Sequence, residues 1–359
     1  MLQTLHYSIH EVEPYISWSY FFHAWGFPAR FAGIAEIHGC DSCRAMWLTR
    51  FPEDERARAA EAMQLHKEAR RMLFHLDRQG FRIHVRFGLF DCNSAGEDVL
   101  LNVKSQSTKH ESGSTKHESG STKHESGSTS PESQSTNPES FANNAAVSSA
   151  SAEVSSAPPP SDIFRLSFLR QQTSPYLCLA DFLRPRNPEG QHDRIGIFCT
   201  AADESIEHLY EEGTADADTY RHLLCQTLAD RLAEAATERA HQAIRKHYWG
   251  YAPAEALSIH DLLAERFQGI RPAVGYPSLP DQSLNFDLDR LIDFSTIGIR
   301  LTEVGAMRPH ASVSGLMIAH PEAHYFAVGS IGEDQLLDYA LRKGRTPEEM
   351  RPYLASNLR

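Results

Sequence analysis

The residues able to do chemistry in this 359-residue chain fall in a few short runs. The most informative reads Gly269-Ile270-Arg271-Pro272-Ala273-Val274-Gly275-Tyr276-Pro277. Its prolines fix φ and remove donors, and Gly275 permits close backbone approach, so the run predicts a stiff extended loop exposing carbonyls and one guanidinium. Arginine offers a planar fork that grips a carboxylate through two parallel bonds. A rigid connector carrying a surface arginine is the plainer alternative. Asp230 and Glu234 stand one helical turn apart and face the same way. They suit an ammonium, a sulfonium-bearing ligand or a partner's histidine, while the nearby Arg231 also fits a solvated acidic stripe.

Two further runs carry candidates. Ala311-Ser312-Val313-Ser314-Gly315 precedes His324-Tyr325-Phe326-Ala327-Val328. Adjacent aromatics in a strand point to opposite faces, so one can enter a core while the other lines a cleft. The serine run is no nucleophile elbow, because its central residue is Val313. Cys40-Asp-Ser-Cys43, with His38 just before it, has the look of a redox pair or half a zinc site. A structural zinc needs further ligands of comparable spacing, and Cys92, Cys178, Cys199 and Cys225 supply no second pair, so no metal is expected. No dinucleotide fingerprint or phosphate loop is present.

The elements that must position these residues form a mixed pattern. Pro52–Leu76 has helical spacing with an acidic first turn, and Asp218–Tyr248 is the longest helical pattern, with Leu224, Leu228 and Leu232 on one face. Phe81–Phe90 alternates as a strand and meets a turn signal at Asn93-Ser94-Ala95-Gly96; Arg194–Thr200 is a short apolar strand. Ser312–Ile318 and Tyr325–Ile331 read as paired strands, and Glu333–Lys343 and Pro347–Asn357 as closing helices. Returning strands with irregularly interspersed helices predict an α+β fold.

Residues 104–161 differ from all of this. They hold three copies of Ser-Thr-Lys-His-Glu-Ser-Gly and a Ser/Pro/Asn/Ala tract. Without apolar a and d positions the seven-residue repeat makes no coiled coil, and the segment reads as a disordered low-complexity insertion. It falls between strand-like runs Glu97–Val103 and Ile163–Leu169, where a hairpin tolerates a long loop because closure cost grows only logarithmically. One domain, 1–103 with 162–359, is therefore expected. Formal net charge is −12, of which the insertion holds −2, so the acidity belongs to the working domain. That excludes a general nucleic-acid binder, and no stretch approaches the length of a membrane span. Scattered cysteines and the absence of a signal-like start predict a cytoplasmic protein.

Taken in order, several segments resemble the activation (reactivation) domain of cobalamin-dependent methionine synthase. They are YISWSYFFHAW (Tyr15–Trp25), GLFDCNSAGEDV (Gly88–Val99), LRQQTS (Leu169–Ser174), CLADF (Cys178–Phe182), LADRLAEA (Leu228–Ala235), YWGYAP (Tyr248–Pro253), GIRPAVGYP, ASVSG, HPEAHYFAVGSI and DYALRKG (Asp338–Gly344). The resemblance implies a C-shaped domain with a twisted antiparallel sheet and flanking helices, binding S-adenosylmethionine. Its implied task is repair: an electron from a flavodoxin-type donor and a methyl group from S-adenosylmethionine return cob(II)alamin to methylcobalamin in methionine biosynthesis. The same resemblance makes Arg271 the ligand-gripping arginine, Pro272, Ala273 and Gly275 backbone contacts, and Tyr276 the residue approaching the corrin. Tyr325 and Phe326 become the aromatic flank, and Asp230 and Glu234 the helix carboxylates near the methyl donor.

Departures from the family pattern set further expectations. Ser17 stands where the family usually has an aspartate on the ligand's amino group, which weakens binding unless another acid, such as Glu13, compensates. Ser278–Gln282, Arg308 and His310 also differ, altering the groove's rim. Segments for the homocysteine, folate and cobalamin modules are missing. The chain is accordingly expected to stand alone and to act in trans on the cobalamin-binding module of a synthase lacking this domain, with no complete active site of its own. A sensor that binds S-adenosylmethionine without the chemistry is the second reading.

Overall fold

The computed structural model describes residues 1–103 and 162–358. Its centre is an antiparallel sheet of six strands: β1 (Leu2–Ser8), β2 (Arg82–Ala95), β3 (Asp98–Asn102), β4 (Ile163–Ser167), β5 (Asp193–Ala202) and β6 (Ser312–Met317). The order is β4-β3-β2-β5-β6. β2 is 14 residues long and pairs along one edge with β1 (Leu5 opposite Val85) and then with β3 (Ser94 opposite Val99). Its other edge carries β5, with Leu89 opposite Gly196. β5 in turn pairs with β6, with Cys199 opposite Ser314.

Period-two alternation sends β5 side chains into two different cores. Ile195, Ile197 and Cys199 pack with Leu284, Leu288 and Ile292 on one face of the sheet, while Phe198 packs with Phe87 and Ile244. The principal helices are α1 (Trp18–Ala24), α2 (Asp41–Leu48), α3 (Glu53–Arg78), α4 (Thr219–Ala243), α5 (Leu284–Ile292) and α6 (Glu333–Arg342). α3 opens on Glu53, Asp54 and Glu55 and closes on His75 and Arg78, each charge opposing the dipole end it meets. It buries Ala62, Leu65, Ala69, Met72, Leu73 and Leu76, one stripe at helical spacing, against the cluster that also holds Leu224, Leu228 and Leu232 of α4.

Two expectations differ from the structure, at the end of β2 and at 325–331, while the long helix ends at Tyr248 as expected but in a different geometry. β2 does not stop near Phe90: Asn93 donates to the Gln191 carbonyl at 2.9 Å and Ser94 to that of Leu183 at 3.0 Å. With these polar side chains satisfied by the 183–191 loop, the strand continues and the turn moves to Gly96, at φ +66°. The long helix leaves α geometry at Ala243 and finishes as a π turn over Ile244–Tyr248. The segment 325–331 is not a strand beside β6, because that edge is already taken. Ile270 and Ile318 exchange N–H···O bonds of 2.9 and 3.0 Å, Leu316 donates to Pro272 at 3.0 Å, and Val274 donates to Ser314 at 2.9 Å. Residues 325–328 fasten instead to the following turn, through Val328 N–H to the Pro277 carbonyl at 2.9 Å.

The 97–103 and 163–169 runs do pair, with Leu100 opposite Arg165. The segment between them, with its repeats, lies outside the described residues.

The approach of residues 270–274 to β6 depends on Gly315, where a Cβ would run into the Pro272 carbonyl and the Ala273 backbone. Gly315→Ala is expected to cost about 1–3 kcal/mol, as overpacking does, read as a lower urea midpoint with unchanged slope.

Candidate functional site

Residues 271–278, α4 and the 325–327 segment enclose a cleft of about 810 Å³ at this edge of the sheet. Arg271 sits on its wall with a side chain only 17% exposed. One terminal nitrogen donates to Glu238 Oε2 at 2.9 Å and the other to His241 Nδ1 at 3.2 Å. Arginine has no acceptor, so Nδ1 must accept, and His241 is the neutral tautomer protonated at Nε2. Burial, reinforced by the charges of Arg271 and Arg245, holds His241 far below its ordinary pKa, in agreement with that tautomer. For Arg271 burial opposes the charge, yet Glu238 together with Tyr325 and Glu265 outweighs it and the pKa is raised. Two of the five guanidinium donors are engaged in these bonds.

The support extends into the π turn that follows α4. Arg245, fully buried, makes a bidentate pair with Glu255, both bonds at 2.8 Å, and lies 4.2 Å from the Phe267 ring centroid. Glu238 Oε1, His241 Nε2 and Arg245 Nη1 are buried without a hydrogen-bond partner among the described residues. The backbone of Arg271 is held too: its N–H donates to the Tyr325 hydroxyl at 3.0 Å.

Glu234 lines the same cleft and pairs with Arg231 at 2.7 Å. Burial raises its pKa, against the pull of Arg231 and with the push of Asp230. Glu265 also lines the cleft, its pKa raised by burial against the opposing charge of Arg271. Nothing in the sequence marked Glu265; its left-handed backbone, φ +55°, follows a short helix and turns the chain toward Arg271. Tyr276, 56% exposed, stands at the mouth. Phe326 is fixed by Ser278, whose Oγ accepts its N–H at 3.1 Å and donates to its carbonyl.

Of the residues expected at the site, Glu234, Arg271, Pro272, Ala273, Tyr276, Tyr325 and Phe326 line this cleft together. Three do not. Asp230 faces His310, 3.5 Å away, and burial raises its pKa. Gly275, at φ +86°, lies behind the wall, its N–H donating to the Leu279 carbonyl at 2.8 Å. Ser17 opens α1 and lines a neighbouring depression with Glu13, whose carboxylate is paired with Arg70 at 2.7 Å. Tyr20 borders both cavities. The carbonyl of Pro272 is not offered to the cleft either, because pairing with β6 consumes it.

The antiparallel sheet, covered by helices on both faces and carrying a charged cleft at one edge, defines an α+β domain with one candidate site there. Residues 8–130 and 142–344 match the family model described as the vitamin B12 dependent methionine synthase activation domain, and the chain belongs to that family. A solved structure, the crystal structure of the MetH reactivation domain bound to AdoHcy, has the same fold: TM-score 0.73 and 30% identity over 100% of this chain and 90% of that one. Among the described residues no helix is long and apolar enough to cross a membrane.

Glu238→Ala would strand the Arg271 charge in a buried setting. A loss of about 3–5 kcal/mol in unfolding free energy is expected, measured by urea denaturation.

Proposed function

We propose that the cleft binds S-adenosylmethionine and that the chain supplies it for reductive methylation of cob(II)alamin on a methionine synthase that lacks this domain. The observation that carries the reading is the guanidinium of Arg271, braced by Glu238 and His241, in one cleft with the carboxylate of Glu234. The fork matches the ligand's carboxylate, and the carboxylate matches its sulfonium. Tyr325 and Phe326 supply apolar wall for an adenosyl group. The AdoHcy held by the related MetH domain is the demethylated form of this ligand. One electron from a flavodoxin-type protein and one methyl group from S-adenosylmethionine convert cob(II)alamin to methylcobalamin and release S-adenosylhomocysteine. The chain's own part is to hold and orient the methyl donor, with Tyr276 at the mouth where the partner's corrin would approach. A cytoplasmic setting suits this chemistry.

The deciding experiment mixes the protein with a truncated synthase in the cob(II)alamin state, a reductant and methyl-labelled S-adenosylmethionine. Label on cobalamin is expected; binding without label would reduce the chain to a sensor. By calorimetry, Arg271→Ala is expected to lose about 1.5–3 kcal/mol of binding, at least roughly tenfold in Kd. Affinity for S-adenosylmethionine should also fall on acidification. Protonating Glu234 removes the charge that attracts the sulfonium, and its raised pKa places the loss above the usual carboxylate range. S-adenosylhomocysteine, with a neutral thioether, should weaken less over the same titration, and Glu234→Gln should abolish that difference.

A further inference from the structure

The chain into α2 reads His38-Gly39-Cys40-Asp41-Ser42-Cys43, and none of it lines the 810 Å³ cleft. Cys40 is the residue that caps α2: its Sγ accepts the Cys43 N–H at 3.3 Å. One helical turn then brings the Cys43 side chain back to the Cys40 sulfur, and His38 comes from the chain just before the helix. A ring nitrogen of His38 and the two sulfurs all lie within 4.8 Å of one another. Both thiols are free, half-buried and outside any core cluster, whereas the four remaining cysteines are buried. Packing accounts for those four and capping for Cys40, but neither explains why the Cys43 sulfur and His38 converge on it.

We propose that His38, Cys40 and Cys43 form a binding site for one thiophilic divalent ion, zinc by coordination preference. Zinc–sulfur and zinc–nitrogen bonds of about 2.3 and 2.0–2.1 Å put tetrahedral edges at roughly 3.5–3.8 Å, so the three donors need close in by only about 1 Å, within side-chain rotation. Two thiolates and a neutral imidazole select a soft or borderline ion over magnesium or calcium, which take oxygen ligands. The two thiolates also neutralise the ion's charge, which suits a neighbourhood containing Arg44, whose guanidinium is engaged with Asp41 at 3.3 Å. Three protein ligands leave the fourth tetrahedral position to solvent or an added donor. Bound there, the ion would tie the 38–40 segment to the first turn of α2. The sequence expectation of no metal rests on the lack of a second cysteine pair; in the structure His38 places a third donor beside the first pair.

The test titrates the reduced full chain with Co²⁺ and then Zn²⁺ under anaerobic conditions. The expected result is one Co²⁺ per chain with a sulfur-to-cobalt charge-transfer band and the visible bands of a tetrahedral site, both bleached by one equivalent of Zn²⁺. Cys40→Ser and Cys43→Ser should each remove the sulfur band, and His38→Ala should shift the visible bands and weaken Zn²⁺ binding by at least about tenfold. Unchanged S-adenosylmethionine binding in these variants would show that they fold and would keep the metal site separate from the cleft. A sulfur band that survives both serine substitutions overturns the proposal. So does cobalt bound without any sulfur band, the signature expected of the repeat histidines His110, His117 and His124. A Cys40–Cys43 disulfide recovered from reductant-treated protein that takes up no cobalt would make the pair a redox couple instead.

Discussion

A guanidinium closed off from water keeps its charge only if something answers it, and the cleft is organised around that requirement at Arg271. The answering groups are Glu238 and His241, one turn apart on one face of α4. Glu238 supplies the opposite charge, neutral His241 supplies an acceptor, and Arg245 is itself answered by Glu255. Desolvating these charges costs several kcal/mol each, which direct pairing offsets but does not turn into large net stability. What the network does achieve is a guanidinium held at both terminal nitrogens, so less ordering is left for a ligand to impose.

The backbone beneath Arg271 is constrained just as firmly. Residues 270–274 complete the sheet beside β6, so a run rich in proline and glycine behaves as an edge strand. Its proline at 272 cannot donate, which is tolerated only at such an edge. Arg271 therefore projects from a hydrogen-bonded ladder rather than from a free loop, with Tyr325 fastening its own N–H from outside. The cover over the cleft, 325–328, is tied to the turn at 277–278, so wall and cover move as one piece.

Periodicity made the long helices and most of the sheet legible before any coordinates. α3 and α4 follow their apolar stripes, and β5 its alternation, because burial enforces both patterns. What escaped were boundaries decided by distant partners. Asn93 and Ser94 look like turn residues until the carbonyls of 183–191 satisfy them inside a strand. The run at 325–331 looks like a strand, but the edge it would join is occupied by a segment fifty residues earlier. The same distinction holds at the cleft. Residue types with a strong local signature, Arg271, Glu234 and the Tyr325–Phe326 pair, converge there, whereas Glu265 arrives through a backbone turn with no signature of its own. Asp230 shares a helix face with Glu234, yet one turn is enough to move it to His310 and out of the cleft.

The sheet order has a consequence for how this domain can change. β4 is the terminal strand on one side, and the cleft is built against β6 on the other, with three strands between. The ladder from Asp98–Ser167 to Asn102–Ile163 already holds the two ends of the β3–β4 connection in register. Whatever chain joins those ends closes a loop whose anchor points are supplied by the sheet, so added length carries a penalty that grows only slowly. The hairpin tip thus lies at the far side of the sheet from Arg271, where its two ends are held by the ladder itself.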